Sequence, residues 1–297
     1  MNRIKKIALT VSIVIASGLL IYNTSYDQKI KITRERTPRY IPITVDFAGE
    51  TAPLNISDVK ERFERELLVN ANLDATTLLI IKRANRAFPV IEPILQRYGI
   101  PDDFKYLAVI ESGLVNAVSP AGARGIWQFM PETGKQYGME INDIVDERYH
   151  LAKSTEAACK YLLESKAKFG NWTMAAASYN GGVNGVNKQI EMQKVTSYYD
   201  LLLTEETSRY VFRILALKEI MKSPDKYGFT VITEELYQNL PTRKIDIDSS
   251  IIDLAGFAKA QGINYKILKI HNPWLRDKKL LNVSRKIYQL EIPLSGY

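Results

Sequence analysis

Two clusters of glycine interrupt a stretch that otherwise reads as helix. Nine of the sixteen glycines fall between residues 111 and 185, in the segments 113–138 and 170–185. A helical protein needs glycine mainly at turns and where backbones approach closely. Two glycine-rich segments inside a helical domain therefore predict loops that line a cleft.

The helices are read from caps and periodicity. Ser57 is placed to cap a helix from Asp58, with Phe63, Leu67 and Leu68 on one face. Asp74 begins a second helix through Leu78, Ile81 and Ala84, and Pro89 and Pro93 frame a separate short one ending near Tyr98-Gly99. Pro101-Asp102-Asp103 puts proline in a first turn and acids at the positive end of the dipole; this helix runs through Leu107 and Ile110 and stops at Gly113. Further helices are predicted at 154–169, 172–178 and 205–222. The pattern changes at residue 228. Thr230-Val231-Ile232, Lys244 to Ile247 and Tyr288 to Ile292 read as short strands, and Ile251 to Gln261 and Tyr265 to Ile270 as helices. The expected fold is mainly α: a helical domain over 56–227 plus a small α+β module over 228–297.

Composition limits the chemistry. The one cysteine, Cys159, excludes an intrachain disulfide and a Cys-based zinc site, and His150 and His271 form no HExxH pattern. Neither GxGxxG nor GxxxxGKS/T occurs. Catalysis must use carboxylates, hydroxyls and amides. The net charge of +7 is uneven: residues 1–40 hold eight basic and two acidic side chains, residues 241–297 ten and five, and the middle is slightly acidic. A nucleic-acid enzyme should be basic around its working site, so nucleic acid is not expected as a partner. Basic ends facing an anionic membrane or wall polymer fit better.

Arg3, Lys5 and Lys6 precede an uncharged run from Ile7 to Tyr26. Ala16-Ser17-Gly18 offers a signal-peptide cleavage site, but Leu19 to Tyr22 continues the apolar run beyond it. Twenty helical residues span about 30 Å, the thickness of a hydrocarbon core. Residues 1–26 are thus expected to be an uncleaved anchor, with a cleaved signal as the alternative. The remainder would then lie on the periplasmic side of the inner membrane. Residues 27–55, with Lys29, Lys31, Arg34, Arg36, Arg39 and three prolines, are read as a basic tether.

Glu111 ends the helix begun at Pro101, after a mostly apolar run. The negative end of the dipole and partial burial both disfavour its charged form and raise its pKa toward that of a general acid. A helix-terminal glutamate with a solvated head group explains the local pattern at least as well. The neighbouring loops add weight to the first reading. Residues 119–131 and 175–182 bring together small residues, amides, hydroxyls and aromatic rings, a set suited to a sugar. Trp127, Phe129 and Met130 could equally be core, and Asn180 could serve its turn.

Four motifs in order carry a resemblance to the lytic transglycosylases with the goose-type-lysozyme fold: Glu111-Ser112, Gly125-Ile126-Trp127-Gln128, Ala177-Ser178-Tyr179-Asn180-Gly181, and Glu206-Thr207 with Tyr210 and then Arg213. Asp146-Glu147-Arg148 also matches. The third motif departs slightly, with Ser178 where the family usually has alanine. The resemblance implies cleavage of the β-1,4 bond from N-acetylmuramic acid to N-acetylglucosamine in peptidoglycan, leaving a 1,6-anhydromuramyl end. It implies Glu111 as the single catalytic carboxylate, acid then base. It also implies Ser112, Ser119, Gln128, Met130, Tyr179, Asn180 and Tyr210 as groups that bind sugar or orient the glutamate. No cofactor or metal is implied. The carboxyl-terminal module resembles a degenerate lysin-motif wall-binding unit, through Asp253-Leu254-Ala255, Gly262-Ile263 and Leu268 to Pro273. Its alternative is a packing appendage without a ligand. The rival activities are a hydrolytic muramidase, which would need a second carboxylate facing Glu111, and a non-catalytic wall-binding scaffold.

Overall fold

A computed structural model describes residues 40–295. The expected anchor, 1–26, and the first part of the expected tether, 27–39, lie outside the described residues. Among the described residues no helix is long and apolar enough to cross a membrane.

The chain begins with a hairpin, β1 (Asp46–Phe47) and β2 (Glu50–Thr51), closed by a two-residue turn at Ala48-Gly49. The helical body follows: α1 (Ser57–Asn72), α2 (Asp74–Arg97), α3 (Lys105–Ser112), α4 (Pro131–Gln136), α5 (Leu151–Phe169), α6 (Trp172–Gly181), α7 (Val183–Gln193) and α8 (Glu205–Lys222). Helix α8 is central, packed on α1, α3 and α6, and α5 packs on α2 and α6. Its positions Val211, Phe212, Ile214, Leu215 and Ala216 are all fully buried. A helix whose middle turns are buried on most sides belongs inside a bundle, and its polar groups gather at its first turns.

Three local expectations give way to packing. Helix α1 starts one residue early, so Ser57 is its first residue rather than its cap, and its hydroxyl donates to Glu61 instead. Pro89 and Pro93 do not bound a separate helix; both lie inside α2. Each interior proline costs about 3 kcal/mol. Ile91, Ile94 and Leu95 are buried around them, and burying each contributes about 1.5–3 kcal/mol, together of the same order as the cost of the two prolines. Residues 40–55, read as part of a tether, are packed into the body: Val45, Phe47 and Ala52 are buried.

That packed segment braces the helices. The Glu50 carboxylate accepts from the backbone N–H groups of Trp172 (2.6 Å) and Thr173 (2.8 Å) and from the Thr173 hydroxyl, capping α6 from 122 positions away. The buried Lys218 of α8 donates to the Asp46 carbonyl (2.7 Å) and to the Asp103 carboxylate (2.6 Å), which also accepts from the Ala48 N–H. The hairpin therefore ties together α6, α8 and the start of α3.

After α8 the segment expected as a strand at 230–232 is irregular and runs along α2, where the Asn239 amide donates to the Arg86 carbonyl. The module comprises β3 (Thr242–Ile247), α9 (Leu254–Ala260), α10 (Tyr265–His271) and β4 (Tyr288–Pro293). The strands pair antiparallel, Thr242 opposite Pro293 and Ile247 opposite Tyr288. Val145 and Tyr149 of the helical body are part of the module's own apolar core, with Leu254, Leu268, Trp274 and Leu290. The Asp146 N–H donates to the Trp274 carbonyl (2.9 Å) and the Arg276 N–H to the Ile144 carbonyl (2.8 Å). The module is a docked unit, not a free bead.

Candidate active site

Helix α3 delivers Glu111 one residue before its end. It stops because Gly113 takes the left-handed conformation, φ 58°, and its N–H returns to the Val109 carbonyl (2.8 Å). The next residue in the chain can then leave the helix axis and open the cleft. Ser112 fastens the following loop: its hydroxyl donates to the Ile126 carbonyl (2.8 Å).

The loop from 117 to 129 is held by its own backbone and by one arginine. Ser119 is tied into a turn, its N–H donating to the Ala123 carbonyl and its hydroxyl accepting from the Ala123 N–H (3.0 Å). The Gln128 amide donates to the carbonyls of Gly125 (2.7 Å) and Ala117 (3.2 Å). Arg148, only 3% exposed, is gripped by both oxygens of Asp146 (2.9 and 2.7 Å) and donates to the carbonyls of Gly122 and Phe129 (3.2 Å each). Gly125 cannot be anything larger: its φ is +84° and an added Cβ would lie 1.9 Å from the Arg148 carbonyl oxygen. Trp127 is fully buried and its indole N–H donates to Thr155 (2.8 Å), so it is core rather than cleft wall. Phe129 is also buried, whereas Met130 is exposed.

Helices α6 and α8 close the site from the other side. The Tyr210 hydroxyl donates a short hydrogen bond to Glu111 Oε1. Among the described residues no hydrogen bond reaches Oε2. The Arg213 guanidinium donates to the Ile110 carbonyl (3.1 Å) beside the glutamate. Tyr179, one helix away, donates to the Trp127 carbonyl (2.8 Å) and packs edge-on against Phe129. Asn180 bridges helices, its amide donating to Glu206 (3.1 Å) and its carbonyl accepting from the Thr207 hydroxyl (2.8 Å).

The electrostatics single out one group. Burial pushes the Glu111 carboxyl up from 4.5 to about 7; the Tyr210 hydrogen bond and the Arg213 charge oppose this, and Glu206 adds to it. The Tyr210 and Tyr179 hydroxyls are held well above their ordinary value by burial and then by the Glu111 charge, so both stay neutral donors. A cavity of about 350 Å³ lined by Glu205, Glu206, Arg209 and Arg213 lies on this face of α8. A carboxyl half protonated near neutrality, with one oxygen held and the other free, can give a proton and take one back.

Of the expected site residues, Glu111 and Tyr210 are bonded, Tyr179 senses the same charge, and Asn180 sits beside Glu206. Ser112, Ser119 and the Gln128 amide face the backbone of the loop they shape. Glu206 and Arg213 belong to the fourth motif, and the packing of α8 against α3 brings both charges to bear on Glu111. The role of Arg148 likewise depends on contacts 19 and 26 residues away.

Residues 89–201 match the family described as Transglycosylase SLT domain. The chain carries a transglycosylase SLT domain. Residues 243–296 match the Soluble lytic transglycosylase C-terminal LysM-like domain. The SLT match covers Glu111, the 117–129 loop, Tyr179 and Asn180 and ends before Tyr210. Over 243 residues the chain is 29% identical to "Membrane-bound lytic murein transglycosylase D" of Escherichia coli K12, covering 79% of this chain and 52% of the relative. The chain is also 28% identical over 113 residues to "Putative tributyltin chloride resistance protein" of an Alteromonas species, covering 36% of this chain and 55% of that one. The chain spans about half the length of these relatives.

Proposed function

We propose that the chain is a peptidoglycan lytic transglycosylase that cleaves the β-1,4 bond between N-acetylmuramic acid and N-acetylglucosamine and leaves a 1,6-anhydromuramyl end. The observation that carries the reading is the single carboxyl at the end of α3, raised to about 7 and held through Oε1 by Tyr210. In the first half-reaction Glu111 Oε2 gives its proton to the glycosidic oxygen as the bond to the muramyl C1 breaks. In the second the same carboxylate takes the proton from the muramyl O6 hydroxyl as O6 closes on C1. The proton that left the enzyme is thereby restored, and no water enters. Tyr210 fixes which carboxyl oxygen moves the proton. This differs from glycosidases that use two carboxyl groups on opposite faces of the sugar.

A hydrolytic muramidase is the second reading, because Glu206 is a carboxylate close enough to act on Glu111. Two features weigh against it as a water-activating base. It is exposed, and one of its oxygens already accepts from Asn180. The relative's name and the basic, apolar amino terminus support a site of action in the cell envelope, with residues 7–26 as an inner-membrane anchor. The LysM-like module supports retention on the glycan strands. Digestion of purified sacculi, followed by weighing the released muropeptides, tests the reading. Products lighter than hydrolytic ones by one water are expected, and none from Glu111→Gln; reducing ends, or an active Glu111→Gln, would overturn it.

A further inference from the structure

The module grips residues 140–149 of the helical body, and the same segment carries the arginine that holds the loop beside Glu111. On the module side the grip has three parts. Val145 pairs with Leu275 as an antiparallel bridge, flanked by the backbone bonds from Asp146 to Trp274 and from Arg276 to Ile144. Val145 and Tyr149 are buried in the module's apolar core, and the Arg276 guanidinium lies 4.2 Å from the centre of the Tyr149 ring. The third part is polar. The Lys286 ammonium donates to the carboxylates of Glu140 (2.6 Å) and Glu147 (3.4 Å), and the Tyr288 hydroxyl donates to Glu140 (3.0 Å).

The other side of the segment faces the catalytic loop. The Glu140 N–H donates to Glu147 Oε2 (2.8 Å) and the Glu147 N–H to the Glu140 carbonyl (2.9 Å), so residues 140–147 close on themselves. Arg148 follows directly. Its guanidinium reaches the carbonyls of Gly122 and Phe129, one toward each end of the loop. Its own carbonyl fills the space over Gly125. From the loop, the Ile126 carbonyl accepts from Ser112, next to Glu111, and the Trp127 carbonyl accepts from Tyr179. A continuous set of contacts thus runs from Lys286 to the surroundings of Glu111.

Charge makes Lys286 the sensitive point. Glu140 and Glu147 approach the same ammonium, so the two carboxylates stand about 6 Å apart or closer, where like charges repel. Asp146 adds a third carboxylate beside them, answered by Arg148. An exposed ion pair contributes little to stability. This lysine is half exposed, but Glu147 is buried, and the ammonium is what keeps two like charges together. Without it the 140–147 loop is expected to open, and Arg148 moves with it.

We propose that the module is a positioning element of the active site: through residues 140–149 it fixes Arg148, and through Arg148 it fixes the 117–129 loop beside Glu111. The module then contributes to turnover apart from any hold on the wall. The inference rests on the transglycosylase reading for the reaction that is slowed, but not for the coupling of module to loop. Lys286 is a positioning residue, since it bonds to neither Glu111 nor the loop.

Three variants of the full-length protein test the proposal, each measured well below its melting temperature. Lys286→Met keeps the stem and removes the charge. Lys286→Arg restores the charge. Asp248→Asn breaks an ion pair with Arg285 inside the module and leaves residues 140–149 untouched. The first readout is hydrogen exchange at the Arg124 and Gly125 amides, which donate to the carbonyls of Phe129 and Ala117. Exchange there should be about tenfold faster in Lys286→Met and as in the wild type in the other two. The second readout is turnover of a soluble glycan oligomer. In Lys286→Met, kcat should fall about tenfold with KM within about twofold of the wild type, because a group is misplaced and no substrate contact is lost. Lys286→Arg should recover both readouts. If Lys286→Met fails to fold, Tyr288→Phe, which removes a second donor to Glu140, should shift both in the same direction. Unaltered exchange and kcat in the folded variant would overturn the proposal. So would an equal loss in Asp248→Asn, or a raised KM at constant kcat. If exchange quickens but sacculi yield no anhydro ends, the catalytic reading fails alone; if anhydro ends form and Lys286→Met alters neither readout, the positioning proposal fails alone.

Discussion

Glu111→Gln should make the protein more stable, and only at neutral and alkaline pH. The carboxyl titrates at 4.5 when free and at about 7 in the folded chain, chiefly because it is buried. Between those values the folded chain keeps a proton that the unfolded chain has released. Stability therefore falls as pH rises from 4.5 to about 7 and stays lowered above. At about 1.4 kcal/mol for each tenfold change in proton affinity, the full effect is about 3 kcal/mol. Glutamine matches the glutamate in shape, keeps an acceptor for Tyr210 and carries no charge, so it removes this penalty. For a body of this size, 1 kcal/mol moves the melting temperature by about 2–4 °C. The variant should thus melt about 6–12 °C above the wild type near pH 8.5 and within a degree or so of it near pH 4. Scanning calorimetry of both proteins at the two pH values gives the answer. An equal difference at both, or a less stable variant at high pH, would refute the assignment of a buried, reluctant carboxylate. Stability given up at a working group is what an active site is expected to show.

Other expectations follow from the same geometry. Turnover of sacculi should fall as pH rises through about 7, where Glu111 loses its proton; Tyr210→Phe should lower kcat/KM about tenfold and move that limb to higher pH, because the lost hydrogen bond favours the charged form. An unmoved limb would mean that another group limits the rate. Gly125→Ala should unfold the 117–129 loop or the whole body, since backbone strain of about 1–3 kcal/mol adds to a collision with the Arg148 carbonyl; an unchanged urea midpoint would contradict the close approach. Arg148→Met leaves the buried Asp146 with only the longer contact to Arg124 (3.5 Å) and should cost about 3 kcal/mol, read from the same urea curves. Removal of 240–297 should weaken sedimentation with purified peptidoglycan; unchanged binding would mean that the module does not hold the wall.

The mainly helical fold was legible because its signals are local. Helix α8 has the bounds that the sequence predicts, 205–222, and α3 is marked by Pro101-Asp102-Asp103 and Gly113. Long-range packing was not legible. Pro89 and Pro93 are helix breakers by propensity, and the buried row Ile91, Ile94, Leu95 offsets their cost in an unbroken α2. Pro42, Pro53 and the basic run before them concealed Val45, Phe47 and Ala52, whose partners lie far along the chain. In the site, the position of Glu111 at a helix end suggested a raised pKa, and burial supplies the main cause. Trp127 looked equally suited to cleft or core from sequence; its bond to Thr155 places it in the core. The support that Asp146 and Arg148 give the loop could not be read from their neighbours, since their pairing serves carbonyls in another segment.

The central claim is that one carboxylate first gives and then recovers a proton while the sugar closes on itself. Digestion of sacculi in water labelled with heavy oxygen tests this most directly. The account predicts muramyl ends that are lighter by one water and carry no label. Labelled, reducing muramyl ends would show that water attacks the sugar and would contradict it.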